Sequence, residues 1–344
     1  MHATKPSPAS SGRSTGLTLA LVSALAFGGS GPAAKPLINA GLDPLHVTWL
    51  RVAGAALVLL PLAWRHRDLV RRRPALLAGF GLLAVAGVQA CYFAAISRIP
   101  VGVALLVEYL APALVLGWVR FVQRRPVSRA AGVGVVLAVG GLACVVEIWA
   151  GFGFDPVGLL LALGAACCQV GYFVLSDHGT ASSGGPAAPD PLGVIAYGLL
   201  FGALVLTAVA RPWEMAWQVL GGRAEIGGAQ VPAVALLAWI VVVATVTAYL
   251  TGVISVRRLS PQVAGVVACL EAVVATVLAW VLLGERLSAV QVLGGAVVLV
   301  GAFIAQRAAP AAPSAGPVAG GGAPSGAGGT GDEGTRLSRD ASAS

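Results

Sequence analysis

Residues 98–117 read RIPVGVALLVEYLAPALVLG, and residues 258–277 read RLSPQVAGVVACLEAVVATV. Set against each other with a shift of 160 residues, Arg98 meets Arg258, Val103 meets Val263, Ala104 meets Ala264 and Leu110 meets Leu270. The same register runs on without a gap to Ser128 and Ser288, Gly134 and Gly294, and Gly141 and Gly301. A second register matches Asp43-Pro44-Leu45 with Asp190-Pro191-Leu192, and Ala56-Leu57-Val58-Leu59 with Ala203-Leu204-Val205-Leu206. Apolar identities come easily by chance in a chain rich in Ala, Val, Leu and Gly. The Asp-Pro-Leu starts, the basic residues and the paired glycines do not, and they mark an internal duplication.

The duplicated units are apolar throughout. Of 344 residues, 57% are hydrophobic and 10% charged, against about 25% charged in a soluble domain. In hydrocarbon only a helix or a closed barrel satisfies its own backbone, and a spanning helix needs about 20 apolar residues. The apolar blocks have that length, too long for barrel strands. They predict ten spans, at 16–37, 44–64, 75–96, 101–119, 130–150, 156–175, 191–210, 232–255, 261–283 and 287–306. The expected fold is an all-α polytopic membrane protein, with ten transmembrane helices as two five-helix repeats covering 16–150 and 156–306. Residues 1–15 form a polar tail, and residues 307–344, mostly Ala, Gly, Pro and Ser, a disordered one.

An odd number of spans per unit forces the second copy to insert upside down relative to the first. Inverted repeats of this kind build carriers, whose halves rock about a site near the midplane. Basic residues stay cytoplasmic in short loops. With the N-terminus inside, the loop and tail Lys and Arg fall on that side except Lys35, Arg98, Arg211, Arg223 and Arg286. Both termini are therefore expected in the cytoplasm of a plasma or inner membrane. The same distribution accounts for the net charge of +8, and no nucleic-acid partner is expected, because basic and aromatic residues do not interleave. All five cysteines lie inside apolar blocks, where they read as small hydrophobes.

The residues also resemble a known family, the EamA-type ten-helix exporters of the drug/metabolite transporter superfamily. The likeness spans residues 16–306. It is carried by Phe27-Gly28-Gly29-Ser30 with Lys35, by Arg51, and by the segment holding Ser260-Pro261, Glu271 and the turn Gly284-Glu285-Arg286-Leu287-Ser288. Two departures stand out: Glu271-Ala272 where relatives often have Glu-Pro, and Arg125-Pro126 in place of Glu-Arg at the first-copy turn. The resemblance implies export of amino acids, metabolites, drugs or nucleotide-related solutes.

Ionisable side chains within spans cost about 2.5–3.5 kcal/mol at a helix centre on insertion scales, so each needs a reason to be there. Arg51 and Glu108 lie similarly deep from the same face, with Lys35 and Glu147 nearer that surface. Arg51, Glu108 and Lys35 either line a hydrated cavity, binding a solute or passing a proton, or Arg51 and Glu108 simply lock two helices together. Lys35 and Glu147 can also snorkel. Glu271 lies near mid-membrane with no basic partner evident in sequence, and is the first candidate for solute contact or proton coupling. Gln89, Tyr92, Tyr109, Gln169, Tyr172 and Tyr249 are further candidates to line the cavity, or else interhelical hydrogen-bonders. The charges of Gly284-Glu285-Arg286 read as solvated or helix-capping.

No metal or other cofactor is expected, and the chain carries no His-Glu-x-x-His, P-loop or nucleophile elbow. A carrier driven by its own ATP hydrolysis is excluded on that ground. The expected partners are a small solute and the bilayer, with a coupling proton and a homodimer left open. The rival readings are an intramembrane enzyme on a lipid-linked substrate and a non-transporting membrane subunit.

Overall fold

A computed structural model describes residues 8–124, 126–147, 154–181, 189–258 and 261–308. Most of the two expected tails lies outside these, although α1 begins at Pro8, within the stretch expected to be polar tail.

The first repeat opens with α1 (Pro8–Gly28) and α2 (Ser30–Asn39), then α3 (Pro44–Val58), α4 (Leu60–Arg65) and the short α5 (Asp68–Arg72). It continues through α6 (Pro74–Gly79), a π-helical segment Phe80–Gly87, α7 (Val88–Ile96), α8 (Val101–Glu108), α9 (Ala111–Gly117), a second π segment Trp118–Val122, and α10 (Arg129–Val146). The second repeat holds α11 (Pro156–Ala181), α12 (Pro191–Ala210), strands β1 (Arg223–Ile226) and β2 (Ala229–Pro232), and α13 (Ala233–Ala238). A π segment Trp239–Thr247, α14 (Ala248–Arg258), α15 (Pro261–Leu283) and α16 (Ala289–Ala308) complete it. Among the described residues, six helical stretches are long and apolar enough to cross a membrane, and shorter apolar helices occupy the other four expected positions.

The breaks in these helices follow from proline. Proline removes a donor and crowds the carbonyl four residues earlier. Pro32 acts on Gly28, where α1 gives way to α2, Pro61 on Leu57 near the α3/α4 break, and Pro112 on Glu108, where α8 stops. Starts are set by caps. The Asp43 carboxylate accepts from Leu45 N at 2.8 Å and that of Asp190 from Leu192 N at 3.0 Å. Ser128 and Ser288 cap α10 and α16 in the same way, accepting from Ala131 N and Gln291 N, both at 3.2 Å. Both repeated motifs thus do the same local work in each copy.

The duplication is visible where α10 meets α16. A Cβ on Gly141 would lie 2.7 Å from the Gly294 carbonyl oxygen, and one on Gly294 2.7 Å from that of Gly141. Gly134 and Gly301 face each other likewise, at 2.8 and 2.6 Å. The pairs run in opposite directions along the two helices and their contacts are reciprocal, as between elements related by a two-fold axis. Only glycine permits this approach of backbones. One π segment repeats as well: the shift of 160 carries 80–87 onto 240–247, inside Trp239–Thr247, whereas the segment at 118–122 maps onto continuous α-helix in α15.

The architecture is all-helical, with one small addition: residues between α12 and α13 fold into an antiparallel hairpin, Arg223 opposite Pro232 and Ile226 opposite Ala229. Its turn is Gly227-Gly228, at φ 60° and 76°, the left-handed pair that a tight two-residue hairpin requires. Gly227 N donates to Leu282 O at 2.7 Å, which pins the hairpin to the end of α15.

Candidate functional site

Arg51 stands on α3 and is 2% exposed. A guanidinium has five N–H donors, and four are placed here. Nε donates to Thr245 Oγ1 at 2.7 Å, Nη1 to Ser30 Oγ at 2.7 Å and to Gln89 Oε1 at 2.9 Å, and Nη2 to the Ala244 carbonyl at 3.3 Å. The guanidinium carbon also stands 5.3 Å from the centre of the Phe93 ring. The cation is therefore held wholly by neutral acceptors, drawn from α2, α7 and the π segment of the second repeat. Thr245 is positioned for this by that π segment, its hydroxyl donating back to Ile240 O at 2.8 Å.

Neither carboxylate bonds to Arg51. Glu108 ends α8, and Glu271 lies in α15; both are half-buried, and both feel the Arg51 charge and each other's. The Tyr109 hydroxyl reaches the Glu271 carboxyl. Gln89 joins the Tyr249 hydroxyl as well as Arg51, and Tyr249 meets Phe27 edge-on at 4.9 Å. Tyr92 is buried, with its hydroxyl against Gly31 of α2. Gly28 abuts Glu271 so closely that a Cβ there would lie 2.9 Å from the Glu271 carbonyl oxygen. Two helix breaks and a π segment thus converge on one polar cluster, between the repeats.

Several expectations change against this geometry. Arg51 and Glu108 do not form the locking pair that their shared depth suggests; Arg51 locks helices through neutral groups instead. Glu271 does have a nearby cation, Arg51, which the sequence hides because it comes from the other repeat. Lys35 is not snorkelling. Its ammonium pairs with Glu285 and donates to Ile99 O at 3.2 Å, so Glu285 is not solvated in its turn. Glu147 accepts from Ser288 Oγ at 2.6 Å. Gln169 sits half-buried on α11, with no bond to the cluster among the described residues, and the Tyr172 side chain lies outside them. Two hollows of about 420 and 490 Å³ lie along the flank of α9, α10 and α11, lined by apolar side chains such as Leu110, Phe121 and Leu142. Neither includes Arg51, Glu108 or Glu271. Ser30, Thr245 and Glu285 were missed as site or tie residues; Ser30 alone had a signal, in the Gly-Gly-Ser run at the break.

Known proteins agree with this architecture. The chain is 29% identical over 289 residues to the threonine/homoserine exporter RhtA of Escherichia coli K12, covering 82% of this chain and 88% of that one. It is 28% identical over 256 residues to RhtA of Salmonella typhimurium SL1344, covering 72% and 76%. A solved crystal structure aligns with a TM-score of 0.51 at 22% identity over 86% of this chain and 96% of that one, a likeness of fold alone. The model of the EamA-like transporter family matches residues 14–147 and again 156–306. The chain therefore belongs to the EamA-like transporter family, in the drug/metabolite transporter superfamily.

Proposed function

We propose that this protein is a secondary exporter of a small zwitterionic solute of the amino-acid class, working by alternating access between two inverted five-helix repeats. Ten membrane crossings with both termini in the cytoplasm fit the positive-inside count. The observation that carries the reading is the polar cluster. One guanidinium and two carboxylates, Arg51, Glu108 and Glu271, lie where the repeats meet, inside an otherwise apolar bundle.

The cluster's chemistry matches a solute with one ammonium and one carboxylate. Glu271 and Glu108 take the ammonium. The phenols of Tyr92, Tyr109 and Tyr249 and the remaining Nη2 N–H of Arg51 take the carboxylate. Two carboxylates beside one cation leave an excess negative charge, which either the solute's ammonium or a coupling proton neutralises. That competition for the same carboxylates couples proton entry to solute exit. The RhtA relatives, named as threonine/homoserine exporters, support this solute class.

In proteoliposomes, labelled threonine or homoserine should move in response to a pH gradient, and Glu271→Gln should abolish the dependence on that gradient. Transport unaffected by Glu271→Gln would remove the carboxylate from the mechanism. Failure of every neutral amino acid tested, with movement of an uncharged solute instead, would overturn the solute class.

A further inference from the structure

We infer that Lys35 and Glu285 form a latch that closes the carrier at the hairpin face, and that the structure is the latched state. The inference rests on the alternating-access reading above.

The two residues come from different repeats. Lys35 stands on α2, and Glu285 follows Gly284 just after α15. Gly284 has φ 69°, and Glu285 N donates back to Ala279 O at 3.3 Å, the Schellman geometry that ends a helix and fixes the direction of the next residue. Glu285 is thereby aimed across the repeat boundary. One carboxylate oxygen pairs with the Lys35 ammonium, and the other accepts from Val101 N at 2.8 Å. Val101 opens α8, so a second-repeat carboxylate caps a first-repeat helix at its positive end. The side chains are only 18% and 13% exposed. Beneath them Ala34, Leu37, Ala275 and Ala279 are 0–1% exposed.

Each element in the latch also carries part of the polar cluster. α2 holds Ser30, α8 ends at Glu108 beside Tyr109, and α15 holds Glu271. The latch therefore lies about 10 Å from Glu108 along α8 and about 18 Å from Glu271 along α15, at 1.5 Å per residue. A shift of any one of these elements at the cluster pulls on the ion pair. On the same side Glu147 meets Ser288, Trp49 Nε1 donates to Thr207 Oγ1 at 2.8 Å, and Arg98 meets Asp155, just before α11, at 2.9 Å. On the opposite side, His66 meets Asp190 at 3.3 Å and, deeper in the bundle, Ser23 Oγ donates to the Ala248 carbonyl at 2.9 Å. The hairpin face is the stitched one, and Lys35–Glu285 is its most buried ion pair.

The test places a single cysteine at Ala279 in a chain whose five native cysteines are replaced, and follows its labelling by a membrane-impermeant maleimide added to either side. With the latch intact, labelling from the hairpin side is slow. Lys35→Ala should raise it about tenfold, the population shift expected when a part-buried tie is lost. Glu285→Gln, which keeps an acceptor for Val101 N–H, should do the same without uncapping α8. Unchanged labelling in both variants, with a monodisperse protein, overturns the latch. Adding threonine separates the two readings. If threonine alters labelling of the latched protein but neither variant does, the latch is wrong and alternating access stands. If threonine alters nothing while both variants label faster, the latch stands and the solute assignment is wrong.

Discussion

The second span of each repeat packs against the third span of the other, and the two contacts are built differently. In one, Arg51 of α3 reaches the Trp239–Thr247 π segment and is bound there by Thr245 and Ala244. In the other, the counterpart of Arg51 is Gly198 of α12, and the Phe80 ring of the first repeat's π segment occupies the space where a Gly198 side chain would stand. One contact is a hydrogen-bonded charge and the other a ring in a glycine notch. The scaffold is duplicated, but the polar cluster exists on one side only. On the proposed alternating-access reading, a symmetric scaffold would let the repeats exchange conformations, while the asymmetric pair of contacts would confine the solute to one site.

The largest effect is expected from removing the charge. Arg51→Ala strands the Ser30, Gln89 and Thr245 side chains and leaves Glu108 and Glu271 without their cation. Breaking a buried charged network by removing one partner costs about 3–5 kcal/mol, so the variant should lose transport and unfold at much lower temperature in detergent. Arg51→Lys should recover folding better than transport, because an ammonium has three donors and no planar fork to span three elements. Full transport by Arg51→Lys would show that charge alone matters, and the geometry of the web would then carry no weight.

The glycine contact is the next to break. Gly198→Ala drives a methyl into the Phe80 ring, and overpacking of this kind costs about 1–3 kcal/mol. The double variant Gly198→Ala with Phe80→Ala should recover part of that loss, as a double-mutant cycle on melting temperature would detect. Additive losses would place the strain elsewhere. Solute binding should change less than in Arg51→Ala, since Gly198 and Phe80 form the apolar counterpart of the Arg51 contact.

How much of this was legible in the sequence depends on the range of the interaction. The Asp-Pro-Leu and Ser caps act over two or three residues, so the motif and its structural work coincide. The glycine pairs on α10 and α16 are legible as part of the duplication, because they recur seven residues apart in both copies, whereas the packing of these two helices on each other is not. The interruption at Glu108 has a local cause in Pro112, but the apolar run 101–119 reads as one unbroken span and hides it. The partners of the charges were not legible. Thr245 becomes an acceptor for Arg51 only because a π turn rotates it there, and no pattern in 239–247 announces that turn. Glu285 looked like a solvated turn residue because its Lys35 partner lies 250 positions away. The hairpin is not legible, since its Gly227-Gly228 turn sits between short strands that do not alternate cleanly.

A finer comparison sets Ala111-Pro112 against Glu271-Ala272, aligned positions of the two copies. Pro112 frees the Glu108 carbonyl and stops α8, whereas α15 runs through Glu271 unbroken. Pro112→Ala removes that difference. Healing the break should leave melting unchanged or slightly raised, and should lower the transport rate with little change in apparent affinity. An unchanged rate would mean that the break is not used in the conformational cycle.

The smallest difference lies between the two Asp-Pro-Leu starts. Both aspartates cap their helices, so Asp43→Ala and Asp190→Ala should each remove about 1 kcal/mol of cap. Asp190 has a second role, because its other oxygen meets His66 Nε2 from the first repeat, whereas no partner beyond its own helix is described for Asp43. Asp190→Ala should therefore exceed Asp43→Ala by the worth of one partly exposed tie, about 0.2–1 kcal/mol. His66→Ala should erase that excess, leaving the two aspartates equivalent. If Asp43→Ala and Asp190→Ala are equal in the native background, His66 contributes nothing to joining the repeats. The face opposite the hairpin would then lack, among the described residues, a working ion pair between the repeats, which would make it the easier of the two to open.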